Sequence, residues 1–179
     1  MITKSTTNQP RGSSPGLPKS IKPQLCKLVD APPRGSEWLN EIKYDGYRMH
    51  ARLDRGKAQL LTRTGLDWTH KYPSIAAALS PLPAKQAYLD GELCGITRDG
   101  RTSFSLIQTA SDSGNADALV LFLFDLLYLD GEAISAAPLR ERKERGLLVG
   151  VDERDGSTAF ARSRTAAAPS SSLPTTKVS

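Results

Sequence analysis

The stretch EIKYDGYRMHARLDRGKAQLLTRTG (Glu41–Gly65) is where the chain first shows a repeating pattern. From Tyr47 to Leu53 the residues alternate. Tyr47, Met49, Ala51 and Leu53 share one parity, and Arg48, His50 and Arg52 the other, as in a half-buried strand. Asp54-Arg55-Gly56-Lys57 reads as a tight hairpin loop, and Ala58–Arg63 as the returning strand. Upstream, Trp38–Lys43 reads as a further strand and Asp45-Gly46 as a turn. Glu41 and Lys43 would then share one strand face. A lysine at a strand end is an ordinary solvated charge, or it is a nucleophile whose amine is kept neutral by burial and neighbouring cations. The residue pattern alone leaves both readings open.

Outward from this hairpin the pattern alternates strands and helices. Pro73–Leu79 has the composition of a short helix with proline at its start. Gln86–Ile96 reads as a strand and Thr97–Arg101 as a tight turn. A helix is expected from Phe104 to about Ala110. Leu119–Leu129, almost wholly apolar, reads as a buried strand closed by Asp130-Gly131. Pro138–Leu148 reads as an amphipathic helix weakened by Gly146. Tight turns between neighbouring strands predict an α+β fold with largely antiparallel sheets and packed helices.

The ends differ from this middle. Residues 1–20 are rich in Pro, Ser and Gly and are expected to form a disordered basic arm. Ile21–Asp30 is expected to be a short docked segment, and residues 31–37 a loop. Of the net charge of +5, residues 1–30 carry +4, with Lys4, Arg11, Lys19, Lys22 and Lys27 against Asp30. Such an arm can hold phosphates without sequence preference, or it is simply a solvated tail. After Gly150 the periodicity stops, and residues 151–179 are expected to be a disordered tail. The 179 residues suit one domain with tails. No apolar run reaches the ~20 residues of a membrane span, and no signal-peptide pattern opens the chain, so a cytoplasmic protein is expected. Cys26 and Cys94 have no metal-ligand spacing. A P-loop, a GxSxG elbow and a paired-histidine metal motif are all lacking.

Two further segments put polar groups on strands that otherwise look buried, which is costly unless those groups are paired or used. In YLDGELCGI, Asp90 and Glu92 share a face opposite Leu89 and Leu93. They could bind a metal or a ribose hydroxyl, or line an exposed sheet face. In VLFLFDLLYLDG, Phe122, Phe124 and Tyr128 share a parity, and one of them could stack on a base, although core packing is the commoner use of such residues.

Taken in order, these segments resemble a known family. WLNEIKYDGYRMHARL is similar to the KxDGxR signature of the covalent nucleotidyltransferases: ATP-dependent DNA ligases, RNA ligases and mRNA capping enzymes. LLTRTGLDWT, YLDGELCG, FLFDLLYLDG and PLRERKERG resemble the ligase motifs that follow it, in the same order, over about residues 21–148. The wording is most similar to the ligase domain of the bacterial DNA ligase D group. The resemblance implies a ligase-type nucleotidyltransferase fold with ATP and Mg²⁺ (or Mn²⁺) as cofactors. It implies nicked or broken double-stranded DNA as substrate, end-joining repair proteins as partners, and a place on the nucleoid. By position, Lys43 would become adenylylated and Glu41 would lie beside adenine. Arg48 and Arg63 would contact ribose and phosphates, Glu92 the ribose hydroxyl, and Phe124 would stack on adenine. Asp45 and Asp90 would lie near the metal.

The family pattern then continues with an EGxV strand, a KxK segment and an OB-fold domain. Residues 151–179 contain neither motif, and Lys177 is the only lysine there. The expectation is therefore an adenylation domain incomplete at its C-terminus, its tail read in a shifted frame, weakly active or inactive. A non-catalytic remnant that binds ATP or nucleic acid, and an RNA ligase or capping-type enzyme, are the alternatives.

Overall fold

The computed structural model describes residues 15–25, 27–31, 34–35, 38–39, 41–113, 118–148 and 160–162, with the side chains of 111–113, 147–148 and 160–162 left aside. Residues 1–14, Cys26, and residues 151–159 and 163–179 of the expected tail lie outside this set.

The hairpin of residues 47–62 forms one side of the sheet. β1 (Tyr47–Asp54) pairs antiparallel with β2 (Lys57–Thr62), Leu53 facing Ala58 and Met49 facing Thr62. Arg55 (φ 49°) and Gly56 (φ 78°) both take positive φ, as a two-residue type I′ hairpin turn requires. A single 3-10 turn (Thr69–Lys71) then leads into α1 (Pro73–Leu79), whose bounds match the sequence expectation. β3 (Gln86–Gly95), α2 (Phe104–Ser113) and β4 (Leu119–Leu129) follow. Asp130 (φ 43°) and Gly131 (φ 98°) form a second such turn into the two-residue β5 (Glu132–Ala133). α3 (Leu139–Leu148) and β6 (Phe160–Arg162) complete the described elements.

The strands form one sheet in the order β2-β1-β3-β4-β5, and β6 also pairs with β4. Every pairing is antiparallel. One sheet face is apolar because the period-2 alternation puts Met49, Ala51, Leu53, Leu60, Leu89, Leu93, Leu121 and Leu123 there. These are buried with Ile75 and Leu79 of α1 and Ile107 of α2. Full burial of each of the leucine, isoleucine and methionine side chains among them contributes about 1.5–3 kcal/mol. The opposite face is mixed. Leu61, Tyr88, Leu127 and Tyr128 form a small second cluster there, with Leu17 and Ile21 packed on it.

β4 does not keep a simple alternation. Its register with β3 shifts twice, skipping Phe124 and Leu127, so Leu123 and Leu126 both face the main core. Two bulges restore the parity, which is why Phe122, Asp125 and Tyr128 lie opposite Glu92, Asp90 and Tyr88. The equal parity of Phe122 and Tyr128 in the sequence thus holds only because two irregularities cancel.

Four expectations need correction. Among the described residues of 38–46 there is no strand. Ile42 and Trp38 are 67% and 54% exposed, so the alternation there has no described surface to bury against. Gly46 is not a positive-φ turn glycine; it is a point of close approach to the Leu93 carbonyl. Residues 15–20 are not free of the fold. Tyr128 donates its hydroxyl hydrogen bond to the Pro15 carbonyl at 2.8 Å, and Arg52 Nε donates to the Pro18 carbonyl at 3.0 Å. Within the expected tail, Phe160–Arg162 pairs with Val120–Phe122. That strand is too short for periodicity to reveal, and it forms because the edge of β4 offers unpaired backbone groups.

Candidate functional site

The mixed sheet face carries nearly all the residues singled out in the sequence. Lys43 is exposed, on the irregular segment that crosses the end of this face, and Asp45 is exposed beside it. Three contacts fasten the segment. Glu41 forms an ion pair with Lys143 of α3. Tyr44 stacks on Phe122 of β4, with ring centroids 4.2 Å apart and planes 10° from parallel. The Gly46 backbone N–H faces the Glu92 carboxylate and favours its charged form. A Cβ at position 46 would stand 2.2 Å from the Leu93 carbonyl oxygen and 2.8 Å from Cys94 Sγ. Glycine is therefore required so that the backbone can lie directly on β3. Gly91 serves the same end on β3, where a Cβ would fall 2.4 Å from the Phe122 carbonyl.

Arg48 and Asp90 form the best-defined polar pair. Arg48 Nε donates to Asp90 Oδ1 and Nη2 to Oδ2, each at 2.7 Å. This is the two-pronged geometry that suits guanidinium and carboxylate. The Asp90 side chain is 4% exposed and that of Arg48 28%. Burial alone would push the Asp90 carboxyl up. The neighbouring His50 and Arg48 outweigh it and hold the carboxyl below its ordinary value. The Arg48 guanidinium also lies over the Phe124 ring, 4.5 Å from its centroid, a cation–π distance.

Glu92, directly across from Arg48 in the register, behaves in the opposite way. Burial raises its carboxyl, and the Arg48 charge and the Gly46 N–H offset this only in part. Cys94 beyond it is buried, and burial together with Glu92 and Asp45 pushes its thiol up to about 12. It therefore stays protonated and unreactive near neutral pH. Arg63, just past β2, lines a cleft of about 470 Å³ with Arg48, Glu92, Thr62, Leu66 and Trp68. That is the size of a small-ligand site.

Arg48, Glu92 and Phe124 are thus brought to one face, with Arg63 in the adjoining cleft, and the segment bearing Glu41 and Lys43 crosses its end. The described residues fit a nucleotide: cations for phosphates, a carboxylate for a hydroxyl and a ring for a base. They fit a metal ion less well. Both oxygens of Asp90 are bonded by Arg48, which leaves only Asp45 of the two expected carboxylates open. Among the described residues no cluster of three or more His, Cys, Asp or Glu could hold a metal.

Sequence reading missed the contribution of α3. Arg142 Nε donates to Asp125 Oδ1 at 2.9 Å, Nη2 donates to Oδ2 at 2.9 Å, and Nη1 donates to the Ala137 carbonyl at 2.6 Å. Asp125 in turn raises the Arg142 guanidinium above its ordinary value. Lys143 Nζ donates to the Phe124 carbonyl at 2.6 Å. The run RERKER was visible, but a charged helix face is ordinarily solvated, and only the packing of α3 along β4 turns it inward.

The sheet, its flanking helices and this polar face define the class. The family described as "ATP dependent DNA ligase domain" matches residues 18–170, and the chain belongs to that family. The match runs past Gly150 into the segment that sequence reading set apart as a tail. Over 148 residues the chain is 43% identical to the "Multifunctional non-homologous end joining protein LigD" of Pseudomonas aeruginosa, covering 80% of this chain and 18% of that protein. It is 31% identical to a "DNA ligase" of Pyrobaculum calidifontis, covering 83% of this chain and 27% of the other. Among solved structures, the ligase domain of M. tuberculosis LigD superposes with a TM-score of 0.51 at 34% identity, over 59% of this chain and 34% of that one. The chain therefore spans under a fifth of the length of the LigD relative from Pseudomonas. No helix among the described residues is long and apolar enough to cross a membrane.

Proposed function

We propose that this chain carries the lysine-adenylylation chemistry of an ATP-dependent DNA ligase, with Lys43 as the nucleophile. The observation that carries this reading is the gathering of Arg48, Glu92 and Phe124 on one sheet face, with Arg63 in the adjoining cleft and Lys43 at the face's end. The Lys43 amine attacks the α-phosphorus of ATP. A P–N bond forms, the bond to pyrophosphate breaks, and the amine gives up a proton. Phosphoryl transfer of this kind depends mainly on positioning and charge neutralisation. Arg48 and Arg63 supply the positive charge, Glu92 accepts from a ribose hydroxyl, and Glu41 and Phe124 bound the adenine. Mg²⁺ or Mn²⁺ would enter with the phosphates, as Mg²⁺ commonly does, with Asp45 as the open carboxylate beside Lys43.

Nicked or broken double-stranded DNA is the proposed acceptor of the AMP in the whole protein. The names of the LigD relatives support an end-joining setting with repair proteins as partners. The basic residues before Asp30 suit a sequence-independent phosphate contact, and a cytoplasmic, nucleoid-associated location follows from that role.

Incubation with α-labelled ATP and Mg²⁺ tests the first step. Label is expected on the wild type in an acid-labile, lysine-linked form, and none on Lys43→Ala. Absence of label on the wild type, or equal label on both, overturns the reading.

A further inference from the structure

The polar face has a second, buried end that the adenylylation reading does not use. His50 and Tyr88 are 1% and 0% exposed. The Ile21 backbone N–H donates to the Tyr88 hydroxyl oxygen at 3.1 Å, and that oxygen lies 2.8 Å from His50 Nδ1. On the other side of the ring, His50 Nε2 lies 3.4 Å from Asp90 Oδ1 and has no hydrogen-bond partner. Asp90 is the carboxylate that grips Arg48. Ile21 belongs to the segment whose Pro15 and Pro18 carbonyls accept from Tyr128 and Arg52. A path of contacts thus runs from the docked N-terminal segment to Arg48, with one long step between His50 and Asp90.

The donors along this path favour one direction, because only a proton sent to His50 leaves the buried Tyr88 hydroxyl hydrogen with a partner. The Tyr88 oxygen already accepts from Ile21, so its own proton is free to go to His50 Nδ1. An imidazole that accepts at Nδ1 carries its proton on Nε2 when neutral. That N–H then faces Asp90. At 3.4 Å it is too long for a full N–H···O bond, whose usual length is about 2.9 Å. In a buried setting an oriented dipole still favours the ionised carboxylate in one position. The opposite tautomer would turn a bare nitrogen lone pair toward Asp90 and repel it.

We propose that His50 is a positioning residue for Arg48: docking of Pro15–Ile21 fixes the Nε2–H tautomer through Tyr88, and that N–H holds Asp90 in the orientation that grips the guanidinium. The consequence for ATP rests on the adenylylation reading; the positioning itself does not.

The test uses the full chain with ¹⁵N-labelled histidine and arginine. Wild type is expected to show His50 as the Nε2–H tautomer and a resolved, slowly exchanging Arg48 Nε–H. Tyr88→Phe keeps the ring and its burial and removes only the hydroxyl. It should shift the tautomer balance and speed Arg48 Nε–H exchange. His50→Leu should speed that exchange as well. His50→Gln retains an N–H donor near the Nε2 position and should preserve the slow exchange, which a purely space-filling role for His50 would not predict. In α-labelled ATP uptake, Tyr88→Phe and His50→Leu should raise the ATP concentration for half-maximal labelling about tenfold, with little change in the maximal rate. An Nδ1–H tautomer in the wild type overturns the proposal. So does Arg48 exchange that is unchanged in Tyr88→Phe, the variant that stands in if His50→Leu does not fold. If the resonances behave as expected but wild type takes up no label, the adenylylation reading fails and the positioning role stands.

Discussion

Asp90→Asn is the substitution whose outcome the structure determines most closely. The carboxylate is almost wholly buried and makes two 2.7 Å bonds to a guanidinium that is itself under a third exposed. Each such charge-assisted bond contributes about 1.5–3 kcal/mol. Asparagine can restore one of them, in neutral form, while its amide group opposes the second guanidinium nitrogen. Breaking a buried pair costs about 3–5 kcal/mol, and the partial exposure of Arg48 lowers this to about 3 kcal/mol. For a chain of this size that is a fall of roughly 6–12 °C in Tm. The pH dependence supplies an independent check. Because the folded carboxyl titrates below its unfolded value, the unfolded state binds more protons in the window between the two. The stability that Asp90 provides is present above the unfolded pKa and is lost as pH falls through the folded one. Urea titrations of both proteins from neutral to strongly acid pH measure this directly. The variant should start lower and lose less on acidification. An unchanged urea midpoint at neutral pH, or parallel acid limbs for the two proteins, would refute the reasoning.

Glu92→Gln should behave in the opposite sense. The folded Glu92 carboxyl is raised, so wild type gains stability as pH falls from that raised value toward 4.5, and the variant should lack this gain in the same urea series. Gly46→Ala forces a Cβ to within 2.2 Å of the Leu93 carbonyl. Overpacking of this kind costs about 1–3 kcal/mol, and the displaced Lys43 segment should show reduced α-labelled ATP uptake even where calorimetry finds the protein folded. Arg142→Met removes the guanidinium fork from Asp125, whose side chain is 14% exposed. A loss of about 3 kcal/mol is expected, with faster amide exchange concentrated in β4 and α3.

The hairpin, α1, β3, β4 and α3 were legible because each rests on a local signal. Alternation sets β1, proline sets the start of α1, and Asp-Gly ends β4. The strand expected at 38–43 failed because alternation is evidence of a strand only where a neighbour supplies hydrogen bonds and cover. The candidate site residues were legible by type, while their surroundings depended on contacts. Asp90 was expected to lie near the metal, and its contact in the structure is the two-pronged pair with Arg48. His50 read as one polar residue on a strand and is the buried link between Tyr88 and Asp90.

The sequence by itself determined the faces of β1, β2 and β3, the hairpin turns at Asp54–Lys57 and Asp130-Gly131, and the family, since these follow from side-chain period, backbone preference and ordered motifs over most of the chain. Tertiary structure alone decided that Gly46 lies on the β3 backbone and that the bulges of β4 bring Phe122 opposite Glu92. It also decided that Lys143 reaches from α3 to Glu41, and that residues 15–21 close the far end of the polar face. These contacts join residues as far as 113 positions apart, from Tyr128 to Pro15. No local pattern encodes the distant ones, because their energy comes from groups that meet only after the sheet has formed.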